Sequence, residues 1–440
     1  MSEMYLASLN QLVRGGAHRL SSWGCTRSYI RMDVHTWKKH FATIFAWIIA
    51  VPFVVRAVYV LPSQGIGSDF TPIWNAVKKF TAGARVYDED YSTVDPHYLY
   101  SPGATALLSP IGLFSDKTFA TWVMMLLGAV SILFALALAT RMLTGTWSSL
   151  WLPIFVIAFF YPHEPIVSTL GLTNINGFLL LMLVVYVWGT LRVGTEPVGL
   201  VRTFFRELQQ YPAWIAGVAL GVCITIKPQF LAMALISLLT LHFSVLFVGA
   251  GVVIVLFAMG WVFMNQPSDY FSELLPYIST PRSYDNGSLQ GVAMRYGWSS
   301  GVTTTAIVLL WLVTLIAVVA LIKWKRSDAV FWAFSSIGVL FCAMLMSSGL
   351  VQGYYCIWLL PLAMTIVRKG SPMRHPVMWL AFWALFYNAS WFYEHTPWAR
   401  GFLDMRSVLA WLVIPVVYAI WALMRRPSAH SELLVAPSGR

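Results

Sequence analysis

Charged residues are scarce in this sequence. Asp, Glu, Lys and Arg make up only 11% of its 440 residues, while 58% of the residues are apolar. A soluble protein has about 25% charged residues, which cover its surface in water. The composition therefore excludes a soluble globular protein and predicts that lipid is the solvent of most of the chain.

Cysteine is also rare. The four cysteines are Cys25, Cys223, Cys342 and Cys356, and the last three lie within apolar runs. Their spacing is typical neither of a disulfide framework nor of a metal site, so we expect small, buried side chains. The first 40 residues lack the short apolar core of a cleavable signal and the composition of a transit peptide, so we expect neither.

Long apolar runs are what the sequence has in place of charge. The first run, residues 41–61, is long enough to cross the ~30 Å hydrocarbon layer of a bilayer. The whole pattern predicts an all-α, polytopic membrane helix bundle with an additional short or re-entrant piece at 103–114. We predict about twelve spans, near 42–61, 119–141, 148–165, 172–191, 212–228, 230–246, 247–264, 301–322, 329–348, 353–369, 376–393 and 405–424.

The positive charges indicate the orientation of the spans. With the N-terminus inside, 19 of the 29 Lys and Arg residues fall in inner segments, as the positive-inside rule expects. We therefore predict a multi-pass plasma-membrane protein with a basic cytoplasmic segment (1–40), a transmembrane domain (41–424) and a disordered cytoplasmic tail (425–440). The net charge of +11 is then explained by the orientation of the chain in the membrane and by contact with inner-leaflet lipid. We therefore expect no nucleic-acid partner.

The first of two long outer segments, 62–117, contains the stretch "GSDFTPIWNAVKKF" (67–80). Thr71 is a candidate N-cap with Pro72 in the first turn. Apolar residues then recur at helical spacing, which predicts an interfacial amphipathic helix with its apolar face in lipid. Asp69 would lie at the N-terminus of this helix, at headgroup depth. A carboxylate there either caps the helix or takes part in chemistry at the membrane surface.

Further polar and aromatic residues cluster in segments predicted to be outer. They are Asp95, His97, Tyr98 and Tyr100 in "VDPHYLYSPG", Asn174 and Asn176 in "TNING", Lys227 in "TIKPQF", Arg282 and Tyr284 in "TPRSYDNGS", and Tyr354 and Tyr355 in "QGYY". Each has a structural alternative, because tyrosines anchor at interfaces, a lysine at a helix end extends to water, and a histidine can brace its own turn. Together they place a carboxylate, two cations, hydroxyls and amides on one face.

That combination fits glycosyl transfer from a lipid phosphate. A carboxylate such as Asp69 can act as general base for a sugar hydroxyl. Lys227 and Arg282 can stabilise a departing phosphate, with a hydrogen bond from Tyr355 or His97. We further predict that the donor is bound by Tyr354, Asn174 and Asn176. The acceptor is predicted to be bound by Asp95, Tyr98, Tyr100 and Tyr284.

The same motifs resemble the polyprenyl-phosphate-dependent glycosyltransferases of GT-C type, family 87. The resemblance covers about residues 41–424, and its most specific stretches are "DPHYLYSPG", "TNING", "LPYI" followed by "TPRSYDNGS", and "QGYY". Two positions depart from the family pattern. Ser68-Asp69 stands where relatives have an acidic pair, and Tyr100-Ser101-Pro102-Gly103 stands where they have Tyr-Pro-Pro-Gly.

The resemblance implies a GT-C catalytic domain whose catalytic base maps onto Asp69. It implies inverting transfer of arabinofuranose from decaprenyl-phosphoryl-β-D-arabinofuranose to the 3-hydroxyl of α-(1→5) arabinan. The product would be an α-(1→3) branch in arabinogalactan and lipoarabinomannan of a bacterial cell wall. The reaction would take place on the extracytoplasmic face, without a nucleotide sugar and without a metal or other cofactor.

Two other functions stay open. One is a mannosyltransferase that uses polyprenyl-phosphomannose on phosphatidylinositol mannosides or lipoglycans. The other is a flippase or transporter for a lipid-linked sugar, for which broken helices and charges within the spans would be typical. The run "DED" (88–90) could also offer three oxygens to Ca²⁺, but a solvated turn is the preferred interpretation.

Overall fold

The computed structural model describes residues 34–60, 67–93, 95–161, 164–194, 199–284, 286–387 and 395–427. The chain divides into two compact units, 1–45 and 46–440. In the first, the described residues form the beginning of one helix; the packing contacts and the cavity described below lie in the second. Most of the predicted N-terminal segment, including Cys25, and most of the predicted tail lie outside the described residues, so both predictions stay open.

The described residues form helices and no β-strand, which confirms the all-α prediction. The α-helices are α1 (Val34–Val55), α2 (Phe70–Thr81), α3 (Pro102–Leu108), α4 (Lys117–Thr144), α5 (Trp151–Phe160), α6 (Glu164–Gly171), α7 (Asn176–Thr190), α8 (Leu200–Glu207), α9 (Tyr211–Ile226), α10 (Ala234–Thr240), α11 (Phe243–Phe263), α12 (Leu275–Ser279), α13 (Leu289–Tyr296), α14 (Ser300–Leu321), α15 (Ala329–Met346), α16 (Leu360–Met364), α17 (Pro376–Phe386) and α18 (Arg400–Met424).

Six stretches of the described chain are long and apolar enough to cross a membrane. They are His40–Tyr59, Lys117–Thr144, Phe243–Phe263, Ser300–Trp324, Ala329–Met346 and Gly401–Met424. The other predicted spans contain apolar helices of 10 to 17 residues. Such helices are about 15–25 Å long, which is less than the ~30 Å hydrocarbon layer. The membrane helix bundle is therefore supported, whereas the count of twelve spans is not confirmed.

The shorter helices pack inside the bundle. Helix α9 packs between α7 and α11, and α7 also packs on α4. Helix α15 is apolar all round and is buried over most of its surface, as expected for a central helix. By contrast, α11 and α14 expose apolar side chains such as Ile254, Val262 and Leu309. These outward apolar faces are what a bundle in contact with lipid requires.

A close helix contact fixes the segment that follows the "DPHYLY" turn. Ser101 caps α3 through the Ala104 N–H, and its hydroxyl also donates to Thr225 O at 2.8 Å near the end of α9. Helix α3 then packs on α11 so closely that a Cβ built at Gly260 would lie 2.1 Å from Pro102 O. Only glycine allows this approach. Ser101 thus ties the turn to α9.

The amphipathic helix over 70–80 is confirmed as α2, but two predictions about it are wrong. Its apolar residues Phe70, Ile73 and Val77 are at most 2% exposed, so this face packs inside the protein and does not lie in lipid. Nor does Thr71 cap the helix, because the helix begins at Phe70 and the Thr71 hydroxyl donates back to Gly67 O at 2.9 Å. An apolar stripe predicts burial but not whether protein or lipid covers it.

The two long predicted outer segments are joined to each other. Arg85 forms an ion pair with Asp269 at 2.8 Å, and the Asn265 amide donates to Gly83 O at 3.0 Å. Farther along, Asn286 is 4% exposed and makes four hydrogen bonds. Its amide nitrogen donates to the carbonyls of residues 282 and 349, and its oxygen accepts from the N–H groups of residues 288 and 351. Asn286 therefore holds the segment 282–288 against the segment 349–351.

Candidate active site

A cavity of about 1040 Å³ lies where these segments meet. Its lining comes from the start of α2, the turn 95–100, the start of α7, the end of α9, the stretch 270–282 and the stretch 348–355. The structure brings together most of the residues predicted for the site, as lining residues of this one cavity. They are Asp69, Asp95, His97, Tyr98, Tyr100, Asn174, Asn176, Lys227, Arg282, Tyr354 and Tyr355.

Asp69 is half-buried at the edge of this cavity. It occupies the position before α2, but its side chain makes no capping hydrogen bond to the helix. Instead, Oδ2 accepts from the Tyr354 hydroxyl at 2.7 Å and lies 3.4 Å from Asn174 Nδ2. The carboxylate is thus oriented by distant parts of the chain, and capping does not explain its presence.

The loop before α7 positions Asn174 through an unusual backbone. Thr173 has φ of +54°, the left-handed region that β-branched residues avoid at a cost of about 1 kcal/mol or more. Thr173 is 2% exposed, and the Asn174 side-chain oxygen accepts from the Asn176 N–H at 3.1 Å. Packing therefore maintains a strained turn, which directs the Asn174 amide nitrogen towards Asp69.

Lys227 follows the last turn of α9 and is only 9% exposed. Its Nζ lies 3.9 Å from the centroid of the Tyr355 ring and 5.1 Å from that of Trp358, and these two rings stack on each other. An ammonium over aromatic faces is stabilised by the ring quadrupoles. Asp69 lines the same cavity. The site therefore combines a carboxylate with a buried lysine that packs over two aromatic rings.

The second predicted cation, Arg282, also lines the cavity, and its Nε is buried without a hydrogen-bond partner in the described part of the chain. Its guanidinium carbon lies 4.8 Å from the centroid of the Tyr284 ring. Tyr284 itself is 36% exposed and is not among the residues that line the cavity. Of the predicted site residues, Tyr284 therefore contacts a lining residue without being one itself.

His97 is held by its own loop. Its Nε2 lies 3.2 Å from Thr93 O, and its Nδ1 lies 3.3 Å from Glu89 Oε2. The ring also packs on Tyr277, with a centroid distance of 5.3 Å, so it joins the two long segments that are predicted to be outer. Both ring nitrogens thus have partners within the turn. The structure therefore supports the structural alternative for His97, in which the ring braces its own turn.

The three acidic residues of "DED" have separate partners. Asp88 pairs with Lys79, Glu89 accepts from the Tyr98 N–H at 2.9 Å, and Asp90 accepts from Ser92. The bonds from Ser92 lower the pKa of Asp90 below its ordinary value. Within the described ranges, no group of three or more His, Cys, Asp or Glu side chains could hold a metal ion. The run is therefore a structured turn.

The remaining predicted residues of the 95–100 turn differ in exposure. Asp95 is exposed at the mouth of the cavity. Tyr98 is fully buried, and its hydroxyl is bonded to Thr105 Oγ1 at 2.7 Å. Burial, together with the neighbouring Tyr355 and Asp69, holds the pKa of Tyr100 well above its usual value. Tyr100 therefore keeps its proton and can donate a hydrogen bond.

Two amide side chains among the lining residues have buried atoms without a hydrogen-bond partner in the described structure. Asn176 is 1% exposed, and neither its Oδ1 nor its Nδ2 has a hydrogen-bond partner in the described structure. The same holds for the buried Oε1 of Gln229. A buried polar atom without a partner costs about 1–3 kcal/mol, so such atoms are expected where a ligand supplies the missing bond.

Sequence reasoning missed Gln229, Asn286 and Trp358. Gln229 follows Lys227 by two residues in "TIKPQF". An amide side chain within a long apolar run is unusual, and this could have marked Gln229 as a candidate site residue. Asn286 shows no such signal, because its four bonds go to backbone groups that are close only in the folded chain. In the sequence, Trp358 cannot be distinguished from the other aromatic residues of an apolar segment. In the structure, its ring lies beside Lys227 and stacks on Tyr355.

Comparison with known proteins places these motifs in a family. The model of glycosyltransferase family 87 matches residues 98–348. This match covers more than half of the chain and includes the turn after Tyr98, the start of α7, Lys227 and Arg282.

Curated relatives match over most of their length. An alpha-(1→3)-arabinofuranosyltransferase of Corynebacterium glutamicum is 31% identical over 337 residues, which is 76% of this chain and 76% of that protein. One from Mycolicibacterium smegmatis is 32% identical over 85% of this chain and 84% of its own length. One from Mycobacterium tuberculosis is 29% identical over 84% and 82% respectively. No solved structure matches the chain.

Proposed function

Because the chain belongs to glycosyltransferase family 87, we propose that this glycosyltransferase moves arabinofuranose from a lipid donor to a cell-wall glycan. The donor is decaprenyl-phosphoryl-β-D-arabinofuranose, and the acceptor is the 3-hydroxyl of α-(1→5) arabinan. The product is an α-(1→3) branch in arabinogalactan and lipoarabinomannan. The names of the relatives and the polar groups that line the cavity support this choice.

Asp69 is the general base of the proposed reaction. Its Oδ2 is oriented by the Tyr354 hydroxyl at 2.7 Å, and its other oxygen can accept the proton of the acceptor 3-hydroxyl. The acceptor oxygen then forms a bond to the anomeric carbon on the face opposite the phosphate. The bond from that carbon to the phosphate oxygen breaks, so the configuration changes from β to α in one displacement.

Lys227 stabilises the departing phosphate. The electrons of the broken bond pass to the phosphate oxygen, where charge builds up in the transition state. Lys227 is held over Tyr355 close to the Asp69 charge, and Arg282 supplies a second cation in the same lining. The Tyr355 hydroxyl can donate a further hydrogen bond. We expect no metal requirement, because two cationic side chains are available for the charge, and EDTA should leave the rate unchanged.

The acceptor enters at the exposed mouth of the cavity. Asp95 lies there, and Tyr100 keeps a proton that can bond to a sugar hydroxyl. Tyr98 and Tyr284 assist indirectly, since Tyr98 packs edge-on against Tyr100 and Tyr284 supports Arg282. In this proposal the mouth opens to the extracytoplasmic side of the plasma membrane, where the arabinan is assembled.

The observation that carries the proposal is an Asp69 carboxylate that points into the cavity and does not cap α2. The test offers the purified protein prenyl-phosphoryl arabinofuranose and, separately, prenyl-phosphoryl mannose, with an α-(1→5) arabinan acceptor. NMR of the product should show a new α-(1→3) arabinofuranosyl branch. Removal of a general base costs roughly 10²–10⁴-fold in rate, so Asp69→Asn should be folded and nearly inactive.

Asp90→Asn is the matched control, because Asp90 is an exposed carboxylate of the same outer segment and should be dispensable. Near-normal turnover of Asp69→Asn would refute the assignment of the base. Mannose transfer by the wild type would keep the family and replace the donor. Transport of lipid-linked sugar without any glycosyl transfer would refute the proposed reaction.

A further inference from the structure

Asn176 was predicted from the sequence to bind the donor and Gln229 was not, and neither takes part in the proton transfer proposed above, yet both line the same cavity as Lys227. Asn176 is 99% buried with two unpartnered atoms, and the Oε1 of Gln229 is buried without a partner in the part of the chain that the structure describes. Most buried polar side-chain atoms in folded proteins have a hydrogen-bond partner, so buried amide atoms without one in the lining of a cavity need an explanation. Their presence indicates a ligand with complementary hydrogen-bonding groups.

The two amides come from helix ends that lie side by side. Asn176 is the first residue of α7, and Gln229 follows the last residue of α9 by three positions. Helices α7 and α9 pack together, and Cys223 near the end of α9 contacts the Leu179 carbonyl near the start of α7. The end of α9 and the start of α7 therefore meet at the wall that also carries Lys227.

The chemistry of the free atoms identifies the class of ligand. Asn176 offers one acceptor and one amide donor, while Gln229 offers an acceptor. An alcohol both donates and accepts, so a hydroxyl can satisfy either amide. A phosphate oxygen or a carboxylate cannot donate to Gln229 Oε1. Sugar hydroxyls thus fit this subsite, whereas anionic groups fit Lys227.

The position next to Lys227 selects the sugar of the donor over that of the acceptor. In the lipid donor, the transferred ring is bonded directly to the phosphate, so its hydroxyls must lie close to the cation that binds the phosphate. The acceptor approaches from the opposite face of the ring, on the side of Asp69. The side chains of Asn176 and Gln229 therefore lie where the ring hydroxyls of the donor sugar are expected.

We propose that Gln229 and Asn176 form the subsite that recognises the hydroxyls of the transferred sugar and so determines donor specificity. This inference rests on the proposed function. Both residues are positioning and specificity groups, since neither takes part in proton transfer. A donor that lacks the recognised hydroxyl would leave a buried amide without a hydrogen bond, so it should react more slowly. Sites that bind a substrate hydroxyl discriminate in this way.

The experiment compares prenyl-phosphoryl arabinofuranose with its 2-deoxy, 3-deoxy and 5-deoxy analogues. For the wild type, we expect kcat/KM to fall by roughly 10- to 100-fold for at least one analogue, because a buried amide then stays unpaired. For Gln229→Leu or Asn176→Leu, we expect low activity with the natural donor and a discrimination against that analogue of less than about 3-fold. Gln229→Glu keeps an acceptor oxygen and should keep most of the discrimination.

Gln209→Leu is the matched control, since Gln209 is exposed after the end of α8, precedes α9 and is not a lining residue of the cavity. Gln209→Leu should discriminate between the natural donor and the deoxy analogues as the wild type does. This result would show that the loss of discrimination is specific to the amides of the proposed subsite. Equal discrimination by the wild type and both leucine variants would overturn the inference. So would a wild type that accepts all three analogues equally well, a result that needs no variant to fold.

Failure of the proposed function gives a different result. If the wild type transfers mannose and not arabinofuranose, the donor assignment fails, and deoxy-mannose donors then test the same two amides. If arabinofuranose is transferred but discrimination does not depend on Gln229 or Asn176, only the subsite is refuted. Transfer of neither sugar would overturn both.

Discussion

At the scale of single residues, the hydrogen bond from Tyr354 to Asp69 is the contact that orients the proposed base. The Tyr354 hydroxyl lies 2.7 Å from Oδ2, and Tyr354 comes from a segment 285 residues farther along the chain. A hydrogen bond to a charged group contributes about 1.5–3 kcal/mol, so Tyr354→Phe should lower kcat by roughly 10- to 100-fold. Single-turnover kinetics with saturating donor would measure this effect.

Tyr211→Phe serves as the control for that substitution, because Tyr211 is 66% exposed at the start of α9. Its kcat and thermal stability should equal those of the wild type. If Tyr354→Phe turned over as fast as Tyr211→Phe, the bond would have no part in catalysis. A fall in stability without a fall in kcat would show that Tyr354 only packs.

At the scale of elements, the contact between α3 and α11 determines where the turn 95–100 lies. A Cβ at Gly260 would come within 2.1 Å of Pro102 O, and backbone of this kind cannot move aside as a flexible side chain can. We expect Gly260→Ala to destabilise the protein by about 3 kcal/mol, as overpacking of an interior does. The thermal unfolding temperature in detergent should fall, together with the yield of folded protein.

Gly251→Ala in the same helix is the matched control. A Cβ at Gly251 would meet no heavy atom within 4 Å, and alanine favours a helix over glycine by about 1 kcal/mol. Gly251→Ala should therefore unfold at the same or a slightly higher temperature. If both variants behaved alike, the close approach of α3 to α11 would not contribute to stability.

Helix α2 shows how much of the fold and the site the sequence could reveal. Helical spacing predicted the helix and its apolar face, and the polar segments that line the cavity were recognisable as exceptions in an apolar chain. The direction of the face was not predictable, since lipid and protein interior favour the same side chains. Likewise, the bonds of Asn286 and the strained Thr173 depend on contacts between distant segments, which no local pattern records.

At the scale of the whole molecule, the segments that line the cavity are those predicted to lie outside, and the basic segments are those predicted to lie inside. The positive-inside rule gives this arrangement a direction relative to the membrane. If the cavity opens on the extracytoplasmic side, the lipid donor must be presented in the outer leaflet. Labelling of single cysteines in intact cells tests that orientation.

The chain suits this experiment, because Cys223, Cys342 and Cys356 are fully buried and Cys25 can be replaced by serine. Ser92→Cys and Ser283→Cys occupy exposed positions of the two long predicted outer segments, and Ser148→Cys is exposed at the predicted inner end of the span 148–165. A membrane-impermeant maleimide should label positions 92 and 283 in intact cells and position 148 only after permeabilisation. The reverse pattern would place the cavity on the cytoplasmic side, and the donor would then have to be bound from the inner leaflet.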